Sequence, residues 1–182
     1  MRLFFAVELP PEVQAALGRL KPDADASRDY RWVDYSLLHV TLAFLGEQPE
    51  ERLQALETVG REAASGSHPG VVRLGAAGHF GSARAPRVLW VDLAGDLHAL
   101  STLQAKLSEQ LKDHGFPTED RPFRAHITLA RRRETARGGP PQTWPPQVDR
   151  AQFAMEQLTL MHSRLSPRGP TYTPVFHFPL AG

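Results

Sequence analysis

The sequence predicts an α+β fold made of two similar lobes, and two repeats along its 182 residues indicate this fold. The first repeat is the string His-x-Thr-x with apolar residues at both x positions, which occurs at 39–42 and again at 126–129. The second is a short apolar strand that opens with arginine and closes with an acidic residue and leucine, at 2–9 and 87–93. Each such strand precedes a predicted helix and then a His-x-Thr-x strand. We therefore expect residues 1–182 to form a single domain of two interleaved lobes, with the motif strands meeting between them.

The first half of the chain begins with a buried strand at 2–9, where apolar residues are nearly continuous. A helix is predicted from Pro10 to about Lys21, because proline and an acidic residue suit the first turn of a helix. The first motif strand comes next. After it, a second helix is expected to open at Pro49 and to end near Ser65.

The second half repeats this order after two strands, at 71–80 and 87–93, which a turn at 81–86 joins. A helix is expected to start near Asp96, whose side chain is suited to the N-cap position. Its apolar stripe consists of leucines at helical spacing: Leu97, Leu100, Leu103, Leu107 and Leu111. The second motif strand then follows.

The last part of the chain contains a segment that cannot form regular structure. Residues 138–146 read GGPPQTWPP, and we interpret them as an ordered loop near the mouth of the cleft. Strands at 151–162 and 171–180 are predicted to complete the fold.

The two motifs predict a catalytic cleft. Successive side chains of a strand point to opposite faces, so the histidine and threonine of each motif share one face. The alternating apolar residues are expected to face a core: Val40, Leu42, Phe44, Ile127 and Leu129. Two such strands facing one another would present two imidazoles and two hydroxyl groups. That combination suits general acid–base chemistry at a phosphodiester.

Other chemistries lack the residues that they need. The chain has no cysteine, which excludes disulfides, thiolate catalysis and cysteine-ligated metals. Each motif has one histidine without further ligands at zinc spacing, and neither a nucleophile-elbow serine nor a glycine-rich phosphate loop is present. A formal net charge of +1 gives no broad field for holding long nucleic acid. The residues favour a metal-free reaction of two histidines, and a duplicated structural strand without function is the alternative.

The chain resembles the bacterial and archaeal RNA 2′,3′-cyclic phosphodiesterases, also called 2′-5′ RNA ligases, of the 2H phosphoesterase superfamily. The resemblance covers nearly the whole chain and rests on the segments RLFFAVELP, RWVDYSLLHVTLAFLGE, VLWVDL, RPFRAHITLAR, SRLSPRGPTYTP and FHFPL. It implies a two-lobed 2H phosphoesterase fold in which antiparallel sheets line a central cleft and helices lie outside. One departure is Ala125, because the residue before the second motif is commonly proline in this family.

The resemblance also implies roles for individual residues. His39 and His126 match the catalytic histidines, with His39 as the acid that protonates the leaving 3′-oxygen and His126 as the base that activates water. Thr41 and Thr128 match the phosphate-binding threonines. Arg131 matches a position that contacts the terminal phosphate. The symmetry of the two motifs alone does not separate acid from base.

One further position, Phe5, matches a residue that contacts the nucleobase. From the residues alone, however, Phe4, Phe5 and Trp90 are expected to belong to the core, since they lie on short strands that are apolar on both faces.

The resemblance thus implies an enzyme that opens 2′,3′-cyclic phosphates at RNA or nucleotide ends to 2′-phosphates, without a metal or other cofactor. The reverse reaction would join RNA ends through a 2′-5′ linkage. Two alternatives remain: a phosphodiesterase for another cyclic or 2′-5′ phosphodiester, and a nucleotide- or RNA-binding module without turnover. We expect a cytoplasmic monomer that does not associate with membranes, because no segment approaches a transmembrane length.

Overall fold

The chain folds into two antiparallel β-sheets and three helices in a computed structural model, which describes residues 1–26 and 28–181. The strands are β1 (Arg2–Glu8), β2 (Tyr30–Trp32), β3 (His39–Glu47), β4 (Gly70–Gly81), β5 (Pro86–Gly95), β6 (His126–Arg132), β7 (Gln152–Met155), β8 (Gln157–Ser166) and β9 (Gly169–Pro179). The helices are α1 (Pro11–Gly18), α2 (Leu53–Ser65) and α3 (Leu97–Asp113).

Each sheet contains one of the motif strands. The first sheet has the strand order β3-β1-β8-β9, and the second has the order β2-β6-β5-β4-β7. Strand β2 precedes the first motif in the chain but pairs with β6, whereas the C-terminal hairpin β8-β9 pairs with β1. This arrangement confirms the predicted α+β class with antiparallel sheets.

One hydrophobic core joins both sheets to all three helices. Its fully buried members include Leu3 of β1, Val13 of α1, Leu56 of α2, Leu103 of α3 and Ile127 of β6. Helix α2 packs against α3 and against β8 and β9 of the first sheet, and α3 packs against β3 of the first sheet and β4 of the second. The apolar face of each sheet is therefore covered by helices, which leaves the opposite face for the motif histidines.

Helix α3 has the predicted cap and apolar stripe. The Asp96 carboxylate accepts a hydrogen bond from the Ala99 N–H at 3.1 Å, and the buried leucines are Leu100, Leu103, Leu107 and Leu111. The prediction for Leu97 is wrong, because this side chain follows the cap directly and is 40% exposed.

A β-bulge in β3 changes the faces of the residues that follow the first motif. Thr41 and Ala43 pair with consecutive residues of β1, so Leu42 between them is the extra residue. Beyond a bulge the alternation of side chains shifts by one position. Phe44 is consequently 41% exposed and Leu45 is buried, which corrects the expectation that Phe44 faces the core.

The second motif strand has a bulge at the equivalent place. Thr128 and Ala130 pair with consecutive residues of β5, so Leu129 is the extra residue there. Leu129 and Ala130 are both buried. Arg131 therefore returns to the face that carries Thr128.

Element boundaries differ from the prediction in three places. Helix α1 ends at Gly18 because the N–H groups of Leu20 and Lys21 bond three residues back instead of four. The strand expected at 151–162 is two strands, since the chain passes from the second sheet to the first at Glu156 without losing its apolar pattern. Strand β2 was not predicted, because three residues are too few to show a period.

In the part of the chain that the structure describes, the helices lack the length and apolar character that crossing a membrane requires.

Candidate active site

The two motif strands lie next to each other where the sheets meet. Strand β3 is at the edge of the first sheet, and it packs against β6 of the second. The motif histidines and threonines are half-buried, whereas the alternating residues Val40, Leu42, Ile127 and Leu129 are buried in the core. The predicted separation of the two faces is thus present in both strands as far as the bulges.

A backbone carbonyl fixes the orientation of the His39 ring. The Nδ1–H donates to the carbonyl oxygen of Leu37 at 2.8 Å, since a carbonyl can only accept. In the neutral ring this leaves a lone pair on Nε2, which lies 2.9 Å from the Thr41 hydroxyl oxygen. The ring therefore presents Nε2 to Thr41 on the open face of β3.

His126 is held in the same way. Its Nδ1–H donates to the carbonyl oxygen of Arg124, two residues upstream, at 2.7 Å. Both histidines thus have Nδ1 bonded to the backbone just before the motif strand and Nε2 available for proton transfer. This equivalence extends the sequence repeat to the hydrogen bonds.

Each motif histidine has an acidic residue directly opposite it on the neighbouring strand. Glu8 of β1 is opposite His39, and Asp92 of β5 is opposite His126. The Glu8 carboxylate accepts hydrogen bonds from the fully buried Thr159 hydroxyl at 2.8 Å and from the Gln157 amide at 3.3 Å. Sequence reasoning did not single out these carboxylates, although both repeated strands end in an acidic residue.

The environment of His39 favours its neutral form. Burial is the largest influence and lowers the pKa of His39 from its ordinary value of 6.5, as does the charge of His126 to a smaller extent. The hydrogen bond to Leu37 and the negative charge of Glu8 raise the pKa but do not cancel the effect of burial. A neutral imidazole is suited to accept a proton, so His39 needs a nearby anion to act as an acid near neutral pH.

We expect the His39 imidazole of the free protein to titrate below pH 6.5 in an NMR titration, with the signal assigned from a His39→Asn variant. Inorganic phosphate should raise this value, because a bound anion stabilises the imidazolium. The unfolded chain has the ordinary value and takes up the proton first as the pH falls, so this group lowers the free energy of unfolding at acid pH. A His39 value at or above 6.5 without phosphate would contradict the effect of burial.

Aromatic rings line the cleft around both histidines. The Phe4 and Tyr172 rings lie 4.9 and 5.3 Å from the His39 ring, and the Phe80 ring lies 5.1 Å from the His126 ring, centroid to centroid. Phe80 and Tyr172 belong to β4 and β9, which lie far from the motifs in the chain. The sequence pattern around the motifs therefore does not predict that Tyr172 contacts His39 or that Phe80 contacts His126.

The structure does not place Phe5 in the cleft. Phe5 is fully buried in the main core, with its ring 6.2 Å from that of Phe178, and it points away from the face that carries Phe4 and His39. A ring without exposed surface cannot stack on a base, so this position corrects the expectation that Phe5 binds the nucleobase. The expectation from the residues alone, that Phe4, Phe5 and Trp90 are buried, is confirmed.

Arg131 is exposed on the cleft face of β6, beyond the bulge. Burial raises the pKa of the Tyr172 hydroxyl, and the positive charges of Arg131 and Arg2 lower it, which places both guanidinium groups within electrostatic reach of that ring.

Among residues 1–26 and 28–181, no three histidine, aspartate or glutamate side chains are grouped so that they could hold a metal ion. The imidazoles and hydroxyl groups of the two motifs and the Arg131 guanidinium lie on the faces of β3 and β6 that are turned away from the core. Imidazoles of this kind can exchange protons with a nucleophile and a leaving group. The hydroxyl and guanidinium groups can donate hydrogen bonds to phosphate oxygens.

A known family model matches the chain twice, once in each half. The family model described as LigT like Phosphoesterase matches residues 7–90 and again residues 91–172. The chain belongs to this family of phosphoesterases. The model thus matches the two halves of the chain separately, and each matched range contains one His-x-Thr-x motif.

Relatives of known name align over nearly the full chain. The RNA 2′,3′-cyclic phosphodiesterase of Thermus thermophilus is 37% identical over 186 residues, which cover 100% of this chain and 91% of the relative. The Escherichia coli protein of the same name is 31% identical over 175 residues, which cover 96% of this chain and 93% of that protein.

Solved structures show the same fold. A protein of Thermus thermophilus superposes with a TM-score of 0.80 at 36% identity, covering 99% of this chain and 98% of that one. Escherichia coli LigT complexed with 3′-AMP gives a TM-score of 0.78 at 28% identity, covering 100% and 98%. The LigT protein has also been crystallised with phosphate, with ATP and with NADP+. The family resemblance seen in the sequence is confirmed.

Proposed function

We propose that this protein is an RNA 2′,3′-cyclic phosphodiesterase, which hydrolyses 2′,3′-cyclic phosphates at RNA or nucleotide ends to 2′-phosphates. The observation that carries this proposal is the pair of equivalent histidines, each oriented by a backbone carbonyl two residues upstream. The names of the relatives support it, since they cover almost the whole chain. The chemistry needs two groups that exchange protons on opposite sides of a phosphorus atom, and two facing imidazoles supply them.

In the proposed reaction, His126 Nε2 takes a proton from a water molecule, whose oxygen attacks the phosphorus atom. The bond from phosphorus to the 3′-oxygen breaks, and this oxygen takes the proton of His39 Nε2. Charge develops on the non-bridging oxygens during attack. The hydroxyl groups of Thr41 and Thr128 and the Arg131 guanidinium stabilise it by hydrogen bonds.

This assignment requires a protonated His39, although burial lowers its pKa. The bound phosphate resolves the conflict, because its negative charge raises the pKa of His39 when the substrate is in place. After one turnover His126 holds the extra proton, and exchange with water restores the starting state.

By reversibility, the same groups can join a cyclic phosphate end to a 5′-hydroxyl through a 2′-5′ linkage. We further propose that the protein acts as a cytoplasmic monomer and needs neither a metal nor an organic cofactor. Nucleotides and RNA ends are then its only partners in the reaction.

Turnover of a 2′,3′-cyclic mononucleotide, followed by phosphorus NMR, tests the proposal. We expect a nucleoside 2′-phosphate as the product, at the same rate before and after exhaustive chelation. Loss of activity on chelation with recovery on adding a divalent ion would contradict metal independence. A 3′-phosphate product would reverse the orientation assigned to the ring. Binding without turnover would indicate a nucleotide-binding module.

A further inference from the structure

Two arginines face each other across the outer strand pair of the second sheet. Arg31 of β2 is directly opposite Arg131 of β6 in an antiparallel register. We propose that Arg31 binds the phosphate that links the terminal nucleotide of an RNA substrate to the nucleotide before it, beside Arg131 at the terminal phosphate. The inference rests on the proposed function and specifies its substrate as an RNA end rather than a free mononucleotide.

The register places both arginines on the face that carries the catalytic groups. Arg131 also pairs with Val88, and Val88 pairs with Phe80, so these three residues and Arg31 form one row across four strands. Residues paired in this way share a face of the sheet. Because the Phe80 ring contacts His126, that face is the cleft.

The neighbours of Arg31 along β2 support the same orientation. Tyr30 is buried and belongs to a small core cluster with Leu89 and Ala130, and Trp32 packs against that cluster. Since side chains alternate along a strand, Arg31 points away from this cluster and towards the cleft. Arg31 and Arg131 are both exposed there.

The two guanidinium groups have no acidic partner. Among the described residues, Arg31 and Arg131 form no ion pair within 4.0 Å, and the nearby carboxylates have other donors. Asp29 accepts hydrogen bonds from the backbone N–H groups of Arg137 and Gly138, and Asp34 accepts from Ser36. Like charges directly opposite on paired strands are unfavourable, so the pair is suited to an anion that lies between or beside them.

One strand separates the two arginines, so each can bind one of two successive phosphates. Arg131 lies on the strand that carries His126 and Thr128 and on the same face as Thr128. Arg31 is one strand further out, a step of about 4.8 Å between backbones that the long side chains can widen. That step is of the order of the separation between neighbouring phosphates in a polynucleotide. A cyclic mononucleotide without a 5′-phosphate has nothing for Arg31 to bind.

Three substrates separate this inference from the proposed function: a 2′,3′-cyclic mononucleotide, the same compound with a 5′-phosphate, and a dinucleotide with a 2′,3′-cyclic end. We expect the two substrates with the additional phosphate to have a kcat/KM about tenfold higher than the first, on the scale of one charge-assisted hydrogen bond. Arg31→Ala should remove this advantage and leave hydrolysis of the simple cyclic mononucleotide unchanged. For the dinucleotide, kcat/KM should also fall less steeply with salt in Arg31→Ala than in the wild-type protein. The slope of log(kcat/KM) against log salt concentration should be smaller in magnitude by about 0.7, the value for one phosphate contact.

Arg61→Ala is the matched control, because it removes the same charge from the outer helix α2, on the covered side of the sheets. In this variant the substrates with the additional phosphate should still have a higher kcat/KM than the simple cyclic mononucleotide. Arg31→Lys should keep part of this advantage, since the charge stays and the planar fork is lost. Thermal unfolding should show that Arg31→Ala is at least as stable as the wild-type protein, because it removes the opposed charges.

The outcomes separate the two proposals. If the wild-type protein hydrolyses none of the three substrates, the proposed function fails. If it hydrolyses all three with equal kcat/KM, or if Arg31→Ala affects the simple mononucleotide as much as the others, the role of Arg31 is overturned and the proposed function stands. Loss of the advantage in Arg61→Ala as well would also overturn it, because the effect would then follow net charge.

Discussion

Replacing His39 or His126 by alanine is expected to lower turnover of a 2′,3′-cyclic phosphate by about a hundredfold or more, the usual scale for losing a general acid or base. The fold should survive, because both side chains are half-buried on the cleft face and their strands are anchored by core residues on the other face. Steady-state kinetics and thermal unfolding of the two variants measure both effects.

His98→Ala provides a control for this experiment. His98 is an exposed histidine in the first turn of α3, on the outer side of the molecule, and its loss should leave turnover unchanged. If either motif variant kept near wild-type turnover while remaining folded, the mechanism with two histidines would be wrong. A fall in both activity and unfolding temperature would instead assign a structural role to that histidine.

A substrate with sulfur in place of the 3′-oxygen is expected to restore most of the activity of His39→Ala and almost none of that of His126→Ala. A thiolate leaves without a proton, so loss of the acid no longer matters, whereas the attacking water still needs the base. In His39→Ala the sulfur substrate should therefore recover most of the loss of about a hundredfold in turnover, and in His126→Ala it should recover almost none of it. Rates of both variants on the oxygen and sulfur substrates measure this recovery.

This experiment also tests the assignment of acid and base, on which the structure and the family resemblance disagree. The lowered pKa of His39 suits a base in the free protein, and the resemblance makes it the acid. Rescue confined to His126→Ala would reverse the two roles. A pH–rate profile cannot decide the question, because its two limbs belong to the coupled pair of histidines.

The motif strands could be predicted because their pattern depends only on alternation. His39 and Thr41 share a face for the same reason that Val40 is buried, and both follow from the pleat of a strand. The burial of four leucines in α3 could be predicted in the same way from their helical spacing. Local periodicity was therefore sufficient wherever the backbone stayed regular.

The errors lie where the backbone is irregular or where contacts come from distant parts of the chain. Phe44 was assigned to the core because a bulge at Leu42 does not appear in the sequence pattern. Strand β2 is three residues long, so its pairing with β6, and with it the position of Arg31, could not be inferred. Tyr172 reaches His39 only through the pairing of β9 with β8, and no local pattern encodes that.

The paired bulges give the cleft a direction. Two equivalent histidines on their own would bind a ligand equally well in two orientations, related by the half-turn that exchanges the histidines. The residue that returns to the cleft after each surplus residue differs, however: in β6 it is the cation Arg131, and in β3 it is the aromatic Phe44. A ligand can thus distinguish the two halves of the cleft at the first cleft-facing positions after the motif threonines.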